Sequence, residues 1–219
     1  MVIVYNPENL NLIKERIAAA EKILSSLPYK NCFISGSFLY KEKYKDIDVF
    51  VMTRSRKKIK TGKKINIIRI DFNDIYSLFY YSSSKSCIAK NLLPKKDLKA
   101  TAADYWNVIN EAVPALFNQK KDFKKEIRFL VLYTEYFANK KILDTYELMK
   151  KISCFKNYKS VLNYINENVP EIIRKNLCKS YVKKYFYTSS GMYRDALSYP
   201  GIKFLYALSH SIIRGAADD

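Results

Sequence analysis

The hydrophobic period of this chain changes near residue 100, and that change constrains the fold more than any other feature. Several segments before it alternate apolar residues at every second position, the period of a half-buried strand. After it the apolar residues recur at every third or fourth position, the period of a helix, and glycine becomes scarce. The expected fold class is therefore α+β: a small mixed-sheet domain over residues 1–95, followed by an all-α helical domain over residues 96–219. The boundary falls softly within residues 91–99.

In the first part, Asn6-Pro7-Glu8 offers an N-cap, a proline at the first helical position and an acid in the first turn. Leu10, Ile13, Ile17, Ala20 and Leu24 continue at helical spacing, which predicts an amphipathic helix to about Leu27. Residues 31–35 read as a short strand ending at Gly36, residues 46–53 as a second and residues 65–72 as a third. A Thr61-Gly62 turn between the last two predicts a hairpin, and hence antiparallel pairing. In the second part, helices are expected at residues 106–116, 123–137, 143–152, 158–166, 172–186 and 202–213.

Charge bears on function. Of the 219 residues, 39 are Lys or Arg and 21 are Asp or Glu, a net charge of +18. An AT-rich genome explains the preference for lysine over arginine, but not the shortage of acids, whose codons are also AT-rich. Such a surplus attracts polyanions, and nucleic acid, RNA in particular, is the expected partner. No uncharged apolar run of about 18 residues is present, nor a signal-peptide pattern, so a soluble cytoplasmic protein without membrane contact is expected. Cys32, Cys87, Cys154 and Cys178 show no paired spacing and read as reduced, mostly buried thiols. With one histidine, any metal here is a hard cation held by carboxylates.

The stretch Phe33 to Val51 carries the chemistry. A strand ends in Gly36-Ser37, and after a short spacer the next strand opens with Asp46-Ile47-Asp48. Alternate residues of a strand share a face, so Asp46 and Asp48 are expected side by side, where two carboxylates repel unless a cation lies between them. With antiparallel pairing, Asp71 from the third strand joins them, and three carboxylates hold two Mg²⁺ (or Mn²⁺) ions about 4 Å apart for displacement at a phosphoryl group. Asp74 competes with Asp71 but has the opposite parity. Gly36 lets a polyphosphate approach the backbone closely, and Ser37 adds a hydroxyl.

This pattern resembles the DNA polymerase β-type nucleotidyltransferase superfamily over roughly residues 31–85. The resemblance implies that Gly36 and Ser37 contact the triphosphate of an NTP, that Asp46 and Asp48 bind both metals, and that Asp71 binds the catalytic metal and helps deprotonate the attacking hydroxyl. Arg69-Ile70-Asp71 followed by Tyr80-Tyr81-Ser82-Ser83-Ser84 is similar to a family X polymerase segment, which makes Tyr80 and Tyr81 sugar-contacting candidates. Phe38-Leu39-Tyr40 stands where the common form has an arginine, so phosphate contact falls to Lys41, Lys43 or Lys45.

The connector to the third strand holds Arg54, Arg56, Lys57, Lys58, Lys60, Lys63 and Lys64, read as a phosphate-backbone contact. Tyr181, Tyr185 and Tyr187, interleaved with Lys179, Lys183 and Lys184, are a second candidate for RNA contact. Phe129, Tyr133, Tyr136 and Phe137 are expected to form a packed face, and His210 to be a packing residue.

A polycationic aminoglycoside acceptor conflicts with the positive charge, and no duplex-binding hairpin motif of a templated polymerase precedes the core. The expectation is transfer of a nucleoside monophosphate from an NTP to an RNA end, tRNA being the preferred acceptor, with release of pyrophosphate. The alternative is a catalytically silent nucleic-acid-binding or toxin–antitoxin-type protein, with a partner protein, that keeps the fold. A family X-like DNA polymerase is a lesser option.

Overall fold

The computed structural model describes residues 1–6, 10–55, 59, 62, 64–118, 121, 123–176 and 199–215. The chain divides into two compact units, one of residues 1–99 with 142–148, the other of residues 100–141 with 149–219.

The first unit is built on a five-stranded mixed sheet in the order β1-β5-β2-β3-β4. Its strands are β1 (Ile3–Tyr5), β2 (Cys32–Ser35), β3 (Ile47–Met52), β4 (Ile65–Ile70) and β5 (Cys87–Ala89). Helix α1 (Leu10–Ser26) precedes β2, the single turn α2 (Ser37–Tyr40) follows it, and α3 (Leu78–Lys85) precedes β5. The strands alternate between two cores. Cys32, Ile34, Ile47, Val49 and Val51 pack with Ile13, Ala20 and Leu24 of α1. Phe33, Phe50, Met52, Ile70 and Ala89 pack with Tyr80 of α3, the Phe33 and Phe50 rings stacking at 4.8 Å. The central strands are apolar on both faces because helices cover both.

One expectation about this sheet is overturned. β3 and β4 pair in parallel, Ile47 opposite Ile65 and Met52 opposite Ile70, and not as a hairpin. The alternating pattern of a strand is the same in either direction, so direction is set by the connector. β4 starts beside the start of β3, where the Ile47 amide donates to the Lys64 carbonyl at 2.8 Å. A dozen connecting residues span the length of β3, since six strand residues cover about 20 Å. Ile59, midway, packs against the α1-face core.

The second unit contains α4 (Ala102–Asn118), α5 (Phe123–Glu126), α6 (Arg128–Asn139), α8 (Tyr158–Asn176) and α9 (Pro200–Gly215), while α7 (Thr145–Ser153) begins in the first unit. Trp106, Ile109, Val113, Leu130, Val161, Ile165 and Leu205 are among its fully buried apolar side chains. Reciprocal capping starts three of the helices: Thr101 with Asp104, Asp144 with Glu147, and Asn157 with Ser160. α8 continues through Pro170 to Asn176, where the sequence suggested two helices. On α6 the packed face is Leu130, Val131, Thr134 and Phe137, and Phe129, expected on it, is exposed. His210 lies edge-on against Tyr206 at 4.3 Å. Cys32 and Cys87 are buried and Cys154 exposed, all with free thiols. Cys178, the candidate segment 179–187 and residues 7–9 lie outside the described residues. No described helix is long and apolar enough to cross a membrane.

Candidate functional site

Three neighbouring strands place Ser35, Asp48 and Asn66 in one row. Ser35 of β2 lies opposite Asp48 of β3, and Asp48 lies opposite Asn66 of β4. The Asn66 amide donates to Asp48 Oδ1 at 2.8 Å. Asp46 sits one residue before β3, and by strand alternation shares the face of Asp48. Both aspartates are half-buried.

Gly36 shapes the turn beside this row. Its φ of 87° is one that side chains disfavour, and a Cβ there would stand 3.0 Å from Asp48 Oδ2. Glycine is therefore required twice over, by the backbone and by the carboxylate. Ser37 opens α2, whose turn is closed by the Leu39 amide on the Gly36 carbonyl (2.9 Å) and the Lys41 amide on the Ser37 carbonyl (2.9 Å).

The spacer between Ser37 and Asp46 is held by Arg16 of α1, a residue the sequence reading missed. Its side chain is only 9% exposed. The guanidinium donates through Nη1 to the Phe38 carbonyl and through Nη2 to the Glu42 carbonyl at 3.1 Å. It also lies over the rings of Phe38 (5.0 Å) and Tyr44 (4.8 Å). Lys41, Lys43 and Lys45 are exposed along the same spacer.

The segment 142–148 closes the other side. Thr145 Oγ1 is 3.3 Å from Ser35 Oγ, and the Tyr146 ring meets the Tyr40 ring edge-on at 5.4 Å. Lys85 fixes this segment by donating to the Ile142 carbonyl (2.9 Å) and pairing with Glu147 (2.8 Å). Gly36, Leu39, Tyr40, Ser86, Thr145 and Tyr146 line a small cleft.

Asp71 is not part of this constellation. In the parallel register it follows Ile70 at the end of the sheet remote from Asp48, five strand residues or about 17 Å beyond Asn66. There it organises a turn. Its Oδ1 accepts from the Asn73 amide at 2.9 Å, and its own amide donates to Asp74 Oδ2 at 3.1 Å. The expected triad of Asp46, Asp48 and Asp71 rested on antiparallel pairing and fails with it. Among the described residues no group of three His, Cys, Asp or Glu side chains forms a metal cluster.

The hydroxyls of Tyr80 and Tyr81 bond to the backbone of the chain itself. Tyr80 is buried, donates to the Pro94 carbonyl at 2.6 Å, and its phenol is pushed well above its usual range by burial. Tyr81 donates to the Lys96 carbonyl. In the basic connector, Arg54 lies past the far end of β3 and exposed Lys64 lies beside Ile47. Arg56, Lys57, Lys58, Lys60 and Lys63 lie outside the described residues.

The donor set fits one Mg²⁺ and not two. Mg²⁺ is bound through one or two carboxylates with water and phosphate oxygens completing its shell, which Asp46 and Asp48 satisfy. A second ion needs a further carboxylate, and the neighbour of Asp48 is an amide that donates to it. No family model, no curated protein and no solved structure matches the chain.

Proposed function

We propose that the chain belongs with the polymerase β-type nucleotidyltransferases and binds an NTP with one Mg²⁺ at Gly36, Ser37, Asp46 and Asp48. The nucleoside monophosphate then passes to a nucleic-acid acceptor, an RNA end. The observation that carries this reading is the contact between a glycine at φ 87° and the Asp48 carboxylate. It brings bare backbone up to the Asp48 carboxylate, and a metal-bound triphosphate requires close backbone together with carboxylates, which Asp46 and the Ser37 hydroxyl would extend in this reading. The net charge of +18 supports a polyanionic acceptor.

In this reading Gly36 and Ser37 hold the phosphates, and Asp46 and Asp48 fix the metal. When bound, the ion supplies charge neutralisation at the reacting phosphate. The acceptor oxygen bonds to the α-phosphorus as the bond to pyrophosphate breaks, and the acceptor proton leaves to solvent. Asp71 has no part in it.

A second reading is favoured by one specific observation, the amide of Asn66 where a third carboxylate would serve a second metal. On that reading the protein binds nucleotide and RNA, or a partner as toxin–antitoxin-type proteins do, without turnover. One experiment separates the two. Purified protein is incubated with total RNA, Mg²⁺ and each α-labelled NTP, beside an Asp46→Asn/Asp48→Asn variant. Label in RNA that disappears in the variant supports transfer. Absence of label, with NTP still bound by the wild type and not by the variant, supports the silent reading.

A further inference from the structure

Besides the basic connector, a second cluster of cations is held in a defined arrangement among the described residues. Residues 92–99 form an extended strap without regular secondary structure. Four tyrosines pin it. The Leu93 amide donates to Tyr5 Oη (3.1 Å), Tyr80 Oη to the Pro94 carbonyl (2.6 Å), Tyr81 Oη to the Lys96 carbonyl, and the Lys99 amide to the Tyr76 carbonyl (2.9 Å). Tyr80 and Tyr81 thus serve the strap.

The pinned backbone presents Lys95, Lys96 and Lys99, all exposed, with Asp97 as the one acid among them. Two of these cations converge on a single ring. Lys96 Nζ lies 5.1 Å and Lys99 Nζ 4.8 Å from the Tyr76 centroid, and Lys96 donates to Tyr76 Oη at 3.1 Å. Among the described residues no carboxylate pairs with either ammonium. Bringing two like charges to one aromatic ring without a counter-anion raises the local positive potential, and a phosphodiester lowers it. Surface lysines ordinarily spread apart, and here the backbone carrying them is fixed before any ligand arrives.

We infer that the strap Lys95–Lys99 with Tyr76 is a docking surface for the phosphate backbone of the nucleic-acid acceptor. This inference rests on the acceptor being nucleic acid. It lies past the end of β4 remote from Asp48, so it grips the acceptor away from the reacting end. Its contacts are to phosphate and are independent of sequence.

The test is fluorescence anisotropy with a labelled 20-nucleotide single-stranded RNA across a salt series, using wild type, Lys96→Ser/Lys99→Ser, and a control Lys14→Ser/Lys22→Ser on α1. Two lost phosphate contacts on a single strand flatten the log–log salt slope by about 1.4 and weaken binding roughly 25-fold at 0.1 M salt. The control is expected to keep the wild-type slope. DNA of the same sequence is expected to show the same loss, since the 2′-hydroxyl is not read. Equal losses in the two double variants attribute binding to diffuse charge and overturn the docking surface, as does an unchanged slope in Lys96→Ser/Lys99→Ser. Binding of labelled ATP with Mg²⁺, measured without RNA, is expected to be unaffected by the strap variant. The strap can therefore fail while the nucleotide site stands, and the nucleotide site can fail while the strap stands.

Discussion

Replacing Arg16 by methionine tests how the spacer between Gly36 and Asp46 is held. The wild-type guanidinium makes two hydrogen bonds to carbonyls and lies over two rings. Hydrogen bonds from a charged donor contribute about 1.5–3 kcal/mol each, and a partly exposed cation–π contact about 0.5–1 kcal/mol. Methionine keeps much of the packing and avoids the desolvation of a buried cation, which offsets part of the sum. The expected net loss is about 3 kcal/mol, and about half that for Arg16→Lys, whose single ammonium replaces a fork. The two units permit an internal control. Trp106, the only tryptophan, lies in the second unit, so its fluorescence reports that unit. The buried thiols of Cys32 and Cys87 report the first. Labelling of these thiols through opening of the first unit is expected to accelerate roughly a hundredfold in Arg16→Met, since about 1.4 kcal/mol is a factor of ten. The denaturation midpoint by fluorescence is expected to stay in place. Less than a fivefold change in thiol labelling would refute the role given to Arg16.

Further outcomes are expected of the site and the helical unit. Asp71→Asn should leave Mg²⁺-dependent NTP binding unchanged, whereas Asp48→Asn should abolish it, both read by calorimetry; equal losses would restore the triad. Asn66→Asp should destabilise the metal-free protein by about 1–2 kcal/mol through carboxylate repulsion, with Mg²⁺ restoring the melting temperature; a melting temperature indifferent to Mg²⁺ would argue against a metal at Asp48. The Tyr76 phenol, held below its ordinary value first by the Lys96 hydrogen bond and then by the charges of Lys96 and Lys99, should ionise earlier than a free tyrosine in an ultraviolet pH titration. Lys96→Met should move that titration back up. In the second unit, Lys151 pairs with the buried Glu135 carboxylate. Lys151→Met should cost about 1–2 kcal/mol by urea denaturation, because the Glu135 carboxylate then keeps only its bonds from Asn139 and Tyr164.

The positions of β2, β3 and β4 were legible because they depend on local patterning, whereas β1 and β5, three residues each, are too short to show a pattern. The residues 32–35, 47–52 and 65–70 that form β2, β3 and β4 lie within the stretches read as strands, the first as a short apolar run. The direction of β4 was not legible, since alternation carries no direction and the cue used, Thr61-Gly62, outweighed Ile59, which packs against the core. That single error carried Asp71 into the site. With parallel pairing in view, Asn66 has the parity of a neighbour to Asp48 and was within reach of the sequence. The same holds for the capping pairs Thr101/Asp104, Asp144/Glu147 and Asn157/Ser160, whose spacing is written in the chain. Arg16 and Thr145 left no such signal. Each reaches the site across a long sequence separation, 22 residues to Phe38 and 110 to Ser35, through tertiary packing alone.

The chain leaves the sheet unit at Lys99 and returns to it for residues 142–148. During synthesis this return governs timing. When the first hundred residues have emerged, all five strands exist, yet Lys85 still lacks Glu147 and Ser35 still lacks Thr145. At about 5–20 residues per second, the closing segment follows several seconds later. A nascent chain of which the first 120 residues have emerged is therefore expected to pair its sheet with the Gly36 turn open on one side, and a fragment cut at residue 99 to keep that opening permanently. The segment that completes the first unit is delivered only after α4, α5 and α6 of the second have been made.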